Sequence, residues 1–258
     1  MAERLSMLVT VKAYPAISQK YHEAVCVAGV RTDTPEPQWV RLYPVQYRDL
    51  PWAQRFKKYQ EISFSAEKHS SDRRPETYRP DVDTLELGGI LDSKRDWAKR
   101  RPYVEPLVVE SMCAALRMQE TDGTSLAAFR PAAVEDFLID DDVEAWSEGK
   151  AAAAAQPSLF FPTKDGLEQI PFRFRYRYRC ATEGCRGHTQ SMIDWELAQS
   201  YRPWRELYDE PTLLENLRKR FLEQMCGPDK DTIFFVGNQH QYPKGFLVLG
   251  VFWPKRSG

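Results

Sequence analysis

The sequence predicts an α+β protein: a β-rich N-terminal half that reads as a small barrel, then an α+β C-terminal half with two helices and a mostly antiparallel sheet. Three observations carry that reading. Short apolar runs, broken by Pro15, Asp33-Thr34-Pro35, Pro44 and Pro51, fill the first part of the chain. Residues 172–180 alternate strictly between aromatic and arginine side chains. Behind them come two stretches with apolar residues at helical spacing, then two further apolar runs.

Residues 7–11 and 24–30 are apolar runs of strand length. Residues 39–43 place Arg41 among Trp39, Val40, Leu42 and Tyr43. Residues 61–66 put Ile62 and Phe64 on one face and Glu61, Ser63 and Ser65 on the other. Residues 70–83 are polar, carry Pro75 and Pro80, and read as a loop. Residues 92–101 suit a short helix with Trp97 buried. Residues 106–117 suit a helix opened by Pro106, since proline is tolerated where the N–H has no partner anyway. Asp140-Asp141-Asp142 suits the positive N-terminal end of a helix, and alanines 151–155 with Gln156-Pro157 are either its tail, stopping at Pro157, or an interdomain linker. That stretch is the best boundary, and divides the chain into 1–150 and 158–258. Further helices are expected over 189–201 and 212–225. The second has Thr212 and Glu215 as a capping box and Leu213, Leu214, Leu217, Phe221 and Met225 as its apolar stripe. Strands at 232–236 and 246–252 close the chain, joined by a loop that carries His240.

Composition narrows the function classes. A chain of 258 residues can build a core without disulfide support. With 42% apolar and 28% charged residues it is globular rather than disordered. No apolar run nears the ~20 residues that cross a bilayer, and the N-terminus has no signal-peptide pattern. The expectation is a cytoplasmic protein with no membrane partner. In that reducing compartment, cysteines 26, 113, 180, 185 and 226 are thiols or metal ligands, not a disulfide framework. A net charge of -1 argues against an all-over cationic surface but leaves room for a local basic groove. There is no phosphate-binding Gly-rich loop, Rossmann fingerprint, Gly-x-Ser-x-Gly elbow or His-Glu-x-x-His motif.

The chemistry concentrates between Phe172 and Glu196. Arg173, Arg175, Arg177 and Arg179 share one face of a strand at a spacing of roughly 6.5–7 Å, near that of successive phosphates. They can clamp a nucleic-acid backbone or pair with acids on a neighbouring element. Cys180, Cys185 and His188 are zinc-type donors one ligand short of four, with Gly184 and Gly187 to let the loop turn. The plainer alternative is a turn with two unrelated thiols and a histidine. Asp194 and Glu196 follow as candidate general acid–base groups, though on a helix they stand about 200° apart and cannot form a matched dyad. An exposed acidic pair balancing the arginines is the alternative. Cys26 is a candidate thiol nucleophile or a packed thiol, while Cys113 and Cys226 read as core. Arg41, Lys57, Lys58 and His240 are further candidate nucleic-acid contacts, and His22 and His69 read as surface residues.

Several stretches also resemble a bacterial family found in DNA-modification and defence gene clusters. They are Lys12-Ala13-Tyr14-Pro15, Trp39-Val40-Arg41-Leu42-Tyr43-Pro44, Phe56-Lys57-Lys58-Tyr59-Gln60, residues 180–196, and Phe234-Phe235-Val236-Gly237-Asn238. The pattern is similar to the DpdC-like proteins of clusters that insert 7-deazaguanines into DNA. The resemblance implies an enzyme that hydrates the nitrile of 7-cyano-7-deazaguanine in DNA to the carboxamide. Its partners would be DNA carrying the modified base and other proteins of the cluster. A nitrile carbon is a modest electrophile, so water must be activated by a metal or base, or a thiolate must attack first. The base would have to be flipped out of the duplex. Two other readings stand beside it: a non-catalytic nucleic-acid-binding module with a structural zinc knuckle, and a magnesium-dependent defence nuclease using Asp194 and Glu196.

Overall fold

Alternation in the first ninety positions produces strands that close on themselves. The structure, a computed structural model, describes residues 2–18, 22–141, 143–155 and 167–256. In chain order the elements are β1 (Glu3–Lys12), β2 (Ala16–Ser18), β3 (His22–Arg31), β4 (Trp39–Val45), β5 (Gln60–Lys68), β6 (Thr77–Ile90), α1 (Lys94–Trp97), α2 (Arg101–Val104), β7 (Val108–Val109) and α3 (Met112–Asp122). They continue as β8 (Leu126–Phe129), β9 (Ala133–Asp140), α4 (Glu148–Ala155), β10 (Arg173–Arg179), β11 (His188–Ser191), α5 (Trp195–Trp204), α6 (Glu210–Arg218), β12 (Ile233–Gln239) and β13 (Tyr242–Phe252). The fold is α+β, as expected. Among the described residues no helix is long and apolar enough to cross a membrane.

The chain forms two units. Residues 1–91 and 142–171 make the first, and 92–141 and 172–258 the second. This differs from a single division at 150–158: β7 to β9 and α3 belong with the C-terminal half, while α4 belongs with the N-terminal half. Pro157, the expected end of α4, lies outside the described residues, as does the side chain of His22.

In the first unit β1 pairs with both β5 and β3, β4 joins β3, and β6 joins β5 and runs parallel to β4, which closes a five-stranded barrel. Leu5, Met7, Val27, Val40, Leu42, Ile62 and Phe64 are fully buried, and the strand register puts them on the inner face. Closure is tight at Gly29. A Cβ there would lie 2.1 Å from the Leu8 carbonyl oxygen and 2.5 Å from Met7 Cε, so only glycine fits between β1 and β3. β2 extends β3, and α4 packs on both. The polar stretch 70–83 is a loop only as far as Glu76, because β6 starts at Thr77. β6 escaped the apolar pattern because its side chains at Arg79, Asp81 and Asp83 are exposed. Pro80 is tolerated because β4 pairs with β6 only at Thr77 and Tyr78, which leaves that edge free at position 80.

The second unit has a three-stranded sheet, β11-β10-β9, and a four-stranded sheet, β13-β12-β8-β7. A bridge between Met192 and Val248 links them. Phe129, Phe137, Tyr176, Tyr178, Phe221, Phe234 and Phe252 are buried and form its aromatic core, with Tyr176 and Phe234 rings 4.7 Å apart. Several boundaries move for local reasons. The helix expected from Pro106 begins at Met112, because Ser111 Oγ caps it by accepting from Ala114 N at 3.0 Å. Before it, Val108 and Val109 pair with β8. The triple aspartate opens no helix: Asp140 ends β9, and α4 starts at Glu148. Residues 188–191 are strand, since they ladder onto β10, and α5 starts only after its cap Asp194. α6 starts at Glu210, capped by Asp209 rather than Thr212. It runs into a π-helical turn, Lys219–Gln224, where the buried Tyr176 hydroxyl donates to the Phe221 carbonyl at 2.7 Å. Residues 92–101 do not make one helix, because Arg95, Asp96 and Trp97 have positive φ. Trp97 is half-buried against Phe252, ring centroids 4.8 Å apart.

Candidate metal centre and arginine strand

β10 delivers Cys180 to the end of the three-stranded sheet. The chain then turns through residues 181–187, with Gly184 (φ 73°) and Gly187 (φ 87°) in the left-handed region that glycine adopts freely. It returns as β11, whose first residue, His188, sits opposite Tyr178 in the ladder. This brings Cys180, Cys185 and His188 together, as the sequence suggested. The fourth member comes from elsewhere: Cys113, in the first turn of α3. The four donor atoms all lie within 4.8 Å of one another. His188 Nε2 is 3.4 Å from Cys113 Sγ and 3.4 Å from Cys185 Sγ. A tetrahedral ion with metal–sulfur bonds of ~2.3 Å and metal–nitrogen bonds of ~2.0–2.1 Å needs sulfur–nitrogen edges of about 3.5 Å. Three thiolates and an imidazole at these distances can hold a metal ion.

Neighbouring groups hold the donors in place. Ser111, the cap of α3, has its Oγ 2.6 Å from Thr182 Oγ1, which ties the helix start to the Cys180–Cys185 turn. Gly187 N donates to Cys185 Sγ at 3.4 Å. The Tyr178 ring stacks on His188 at 5.2 Å. Without an ion, burial and the other thiols push Cys113 up to about 11. Burial also pushes Cys180 up, partly offset by the backbone of Cys113 and Met112. Backbone hydrogen bonds from Cys180 and Gly187 outweigh burial at Cys185 and hold it low. Burial lowers His188, which favours the neutral ring that binds metals.

The arginine strand has the alternation expected. Phe174, Tyr176 and Tyr178 are buried on one face, and the arginines stand on the other. Opposite them, β9 carries acids. Arg175 forks onto Asp140 at 2.8 and 3.0 Å. Arg177 meets Asp136 at 3.3 Å and Glu135 at 3.6 Å. Arg179 pairs with Glu135. Arg173 sits opposite Asp140 in the ladder and is exposed. The row is therefore largely neutralised by its neighbour strand, the alternative the sequence left open.

The remaining candidates are scattered. Asp194 is 3% exposed and caps α5, accepting from Glu196 N at 2.9 Å. Glu196, two residues on, is exposed, so the two carboxylates do not share a site. Cys26 is half-buried on β3 in the first unit. Arg41 does not project into an open groove. It is 1% exposed on the outer face of β4, beside Ala28 and 3.9 Å from Glu76. Lys58 is likewise buried, whereas Lys57 and His240 are exposed. Cys113 is the residue that sequence reasoning missed. It was read as core because it lies in an apolar stretch far from the other ligands, and because a helix opened at Pro106 hides its place in the first turn of α3.

No curated protein matches this chain. Residues 3–106 match one family, described as domain of unknown function DUF8758. Residues 108–258, more than half of the chain, match a second, and the protein belongs to that family, described as domain of unknown function DUF8757.

Proposed function

We propose that this protein binds nucleic acid without modifying it, and that a structural zinc ion organises its second unit. The observation that carries this is Cys113. With it the donor set reaches four protein ligands, the number that closes a structural zinc site and leaves no position for a reacting water. Thiolate and imidazole donors also favour zinc over magnesium or calcium. A nitrile hydratase working through this metal would have to shed a ligand first. A magnesium nuclease would need Asp194 and Glu196 on one ion, and one is a buried cap while the other faces solvent.

Two features support nucleic acid as the partner. The first is the five-stranded Greek-key barrel, an architecture that often binds oligonucleotides, although fold alone does not fix function. The second is the set of arginines on β10, of which Arg177 and Arg179 keep half or more of their side chains exposed (50% and 66%). The natural ligand on this reading is DNA, including DNA with a 7-deazaguanine base, in a cytoplasmic setting where thiols stay reduced.

The test combines binding with mass spectrometry. Purified protein is titrated with plain and 7-cyano-7-deazaguanine oligonucleotides, and the nucleosides are then weighed. We expect salt-sensitive binding, about one zinc per chain, and no mass change. A gain of one water would mean the nitrile is hydrated and the protein is an enzyme. Absence of binding at low salt would overturn the proposal from the other side.

A further inference from the structure

The two units present positive charge differently. On β10, each of Arg175, Arg177 and Arg179 has a carboxylate partner. In the barrel unit, the segment between β4 and β5 has cations without one. Arg55 donates to the Leu50 carbonyl at 3.0 Å and the Arg48 carbonyl at 2.8 Å, which fixes its direction but cancels none of its charge. Lys57 is exposed and makes no ion pair with any described residue. Between β4 and Lys57, a short 3₁₀ turn, Trp52–Gln54, carries Trp52, which is 85% exposed. The Arg55 guanidinium stands over its ring, 5.7 Å from the centroid. The same turn packs against β6, a strand that also carries exposed Leu87 and Ile90.

An indole this exposed offers an aromatic face on which a flat group can stack. Arg55 over its ring and Lys57 a few residues on, neither ion-paired with any described residue, ask for an anion. A ligand with both flat apolar faces and regular negative charge is a single-stranded nucleic acid: its unpaired bases can stack, and its phosphates lie within reach of arginine and lysine. A duplex offers the phosphates but not the base faces. The surface that five-stranded barrels commonly use for oligonucleotides, the outer face of the second and third strands, is closed here. Its counterparts Ala28, Val30 and Arg41 on β3 and β4 are all buried.

We infer that the segment from Trp52 to Lys57 is the single-strand contact of the barrel unit: Trp52 stacks on an unpaired base while Arg55 and Lys57 hold the flanking phosphates. This rests on the nucleic-acid reading above and says where and in what form the ligand is held. The experiment measures binding of the full-length protein to fluorescent oligo(dT) and to duplex DNA over a range of salt, for wild type, Trp52→Ala, Trp52→Phe and the Arg55→Ala/Lys57→Ala pair. Circular dichroism confirms folding of each.

Base stacking is worth ~1–3 kcal/mol, so Trp52→Ala should weaken oligo(dT) binding by about five-fold or more. Trp52→Phe should keep most of it, and duplex binding should move little. Removing both cations should reduce the slope of log K against log salt by about 0.7 per charge. If wild type binds oligo(dT) and all variants match it, the inference is overturned while the nucleic-acid reading stands. If wild type binds no nucleic acid, both fall. If wild type self-associates in sedimentation and Trp52→Ala abolishes that, the patch is a protein interface and the inference is wrong.

Discussion

The two units hold themselves together in different ways. The barrel unit closes its own hydrogen-bond ladder: β1 serves two neighbours, β6 returns to β4, and apolar side chains from five strands fill the centre. It needs no staple, because a closed sheet has few unpaired edges and one continuous core. The second unit is assembled from separate pieces. Its two sheets meet through a bridge between Met192 and Val248 and through the aromatic core, where the Tyr176 and Phe234 rings are 4.7 Å apart. Its segment 92–141 is distant in sequence from 172–258, and the β9–β10 and β8–β12 ladders and the four-donor cluster join the two. α3 supplies one ligand and the β10–β11 turn supplies three. The barrel is held by closure, and the second unit by ladders between segments remote in sequence together with a cluster that can hold a metal ion.

Three experiments bear on that contrast. The largest effect should come from the metal. Because ligand binding is coupled to folding in thiolate sites, with apparent energies that reach ~10 kcal/mol or more in small zinc domains, a strong chelator or Cys113→Ser should destabilise the second unit selectively. Hydrogen exchange followed by mass spectrometry should show protection lost across α3, β10 and β11 and retained in β1, β3 and β5. Equal loss in both units would mean that the cluster is not the device that separates them.

Next comes closure of the barrel. Gly29→Ala forces a methyl group into the Leu8 carbonyl and the Met7 side chain, and should cost at least the ~1–3 kcal/mol typical of overpacking. The urea midpoint should fall, with exchange rising in β1 and β3 and metal content unchanged. A neutral result would mean that β1 and β3 can part at no cost.

The smallest effect concerns Asp194. As a helix cap, its replacement by Ala should cost ~1 kcal/mol, while Asn should be nearly neutral because it caps as well. Thermal unfolding of the two variants separates this role from a catalytic one. If Asp194→Asn leaves stability intact yet abolishes a measured chemical turnover, the carboxylate acts in catalysis and the capping assignment is incomplete.

Much of the fold was legible because alternation is a local signal. β1, β3, β4, β5 and β10 each announce themselves in a handful of residues, and so do the apolar stripes of α5 and α6. Two of the missed strands share a cause. β9 and β6 bury little on their outer faces: Glu135, Asp136 and Asp140 serve the arginines, and Arg79, Asp81 and Asp83 face water. A strand whose neighbours satisfy it through charge or through one edge carries no apolar period. Helix starts moved because Ser111, Asp194 and Asp209 cap by hydrogen bonds that the apolar stripes do not show.

The sequence by itself determined the α+β class, four of the five barrel strands, the arginine–aromatic alternation and three of the four donors of the candidate metal site. Each of these depends on residues within a few positions of one another. Tertiary structure alone decided the rest. Cys113 joins the cluster only because α3 packs its capped start against the Thr182 turn. The arginines are neutralised only because β9 happens to be their neighbour. Arg41 is buried while Trp52 is exposed, against the usual preference of both side chains. Ligand count, charge balance and exposure are sums over contacts between distant parts of the chain, and no local pattern contains those contacts.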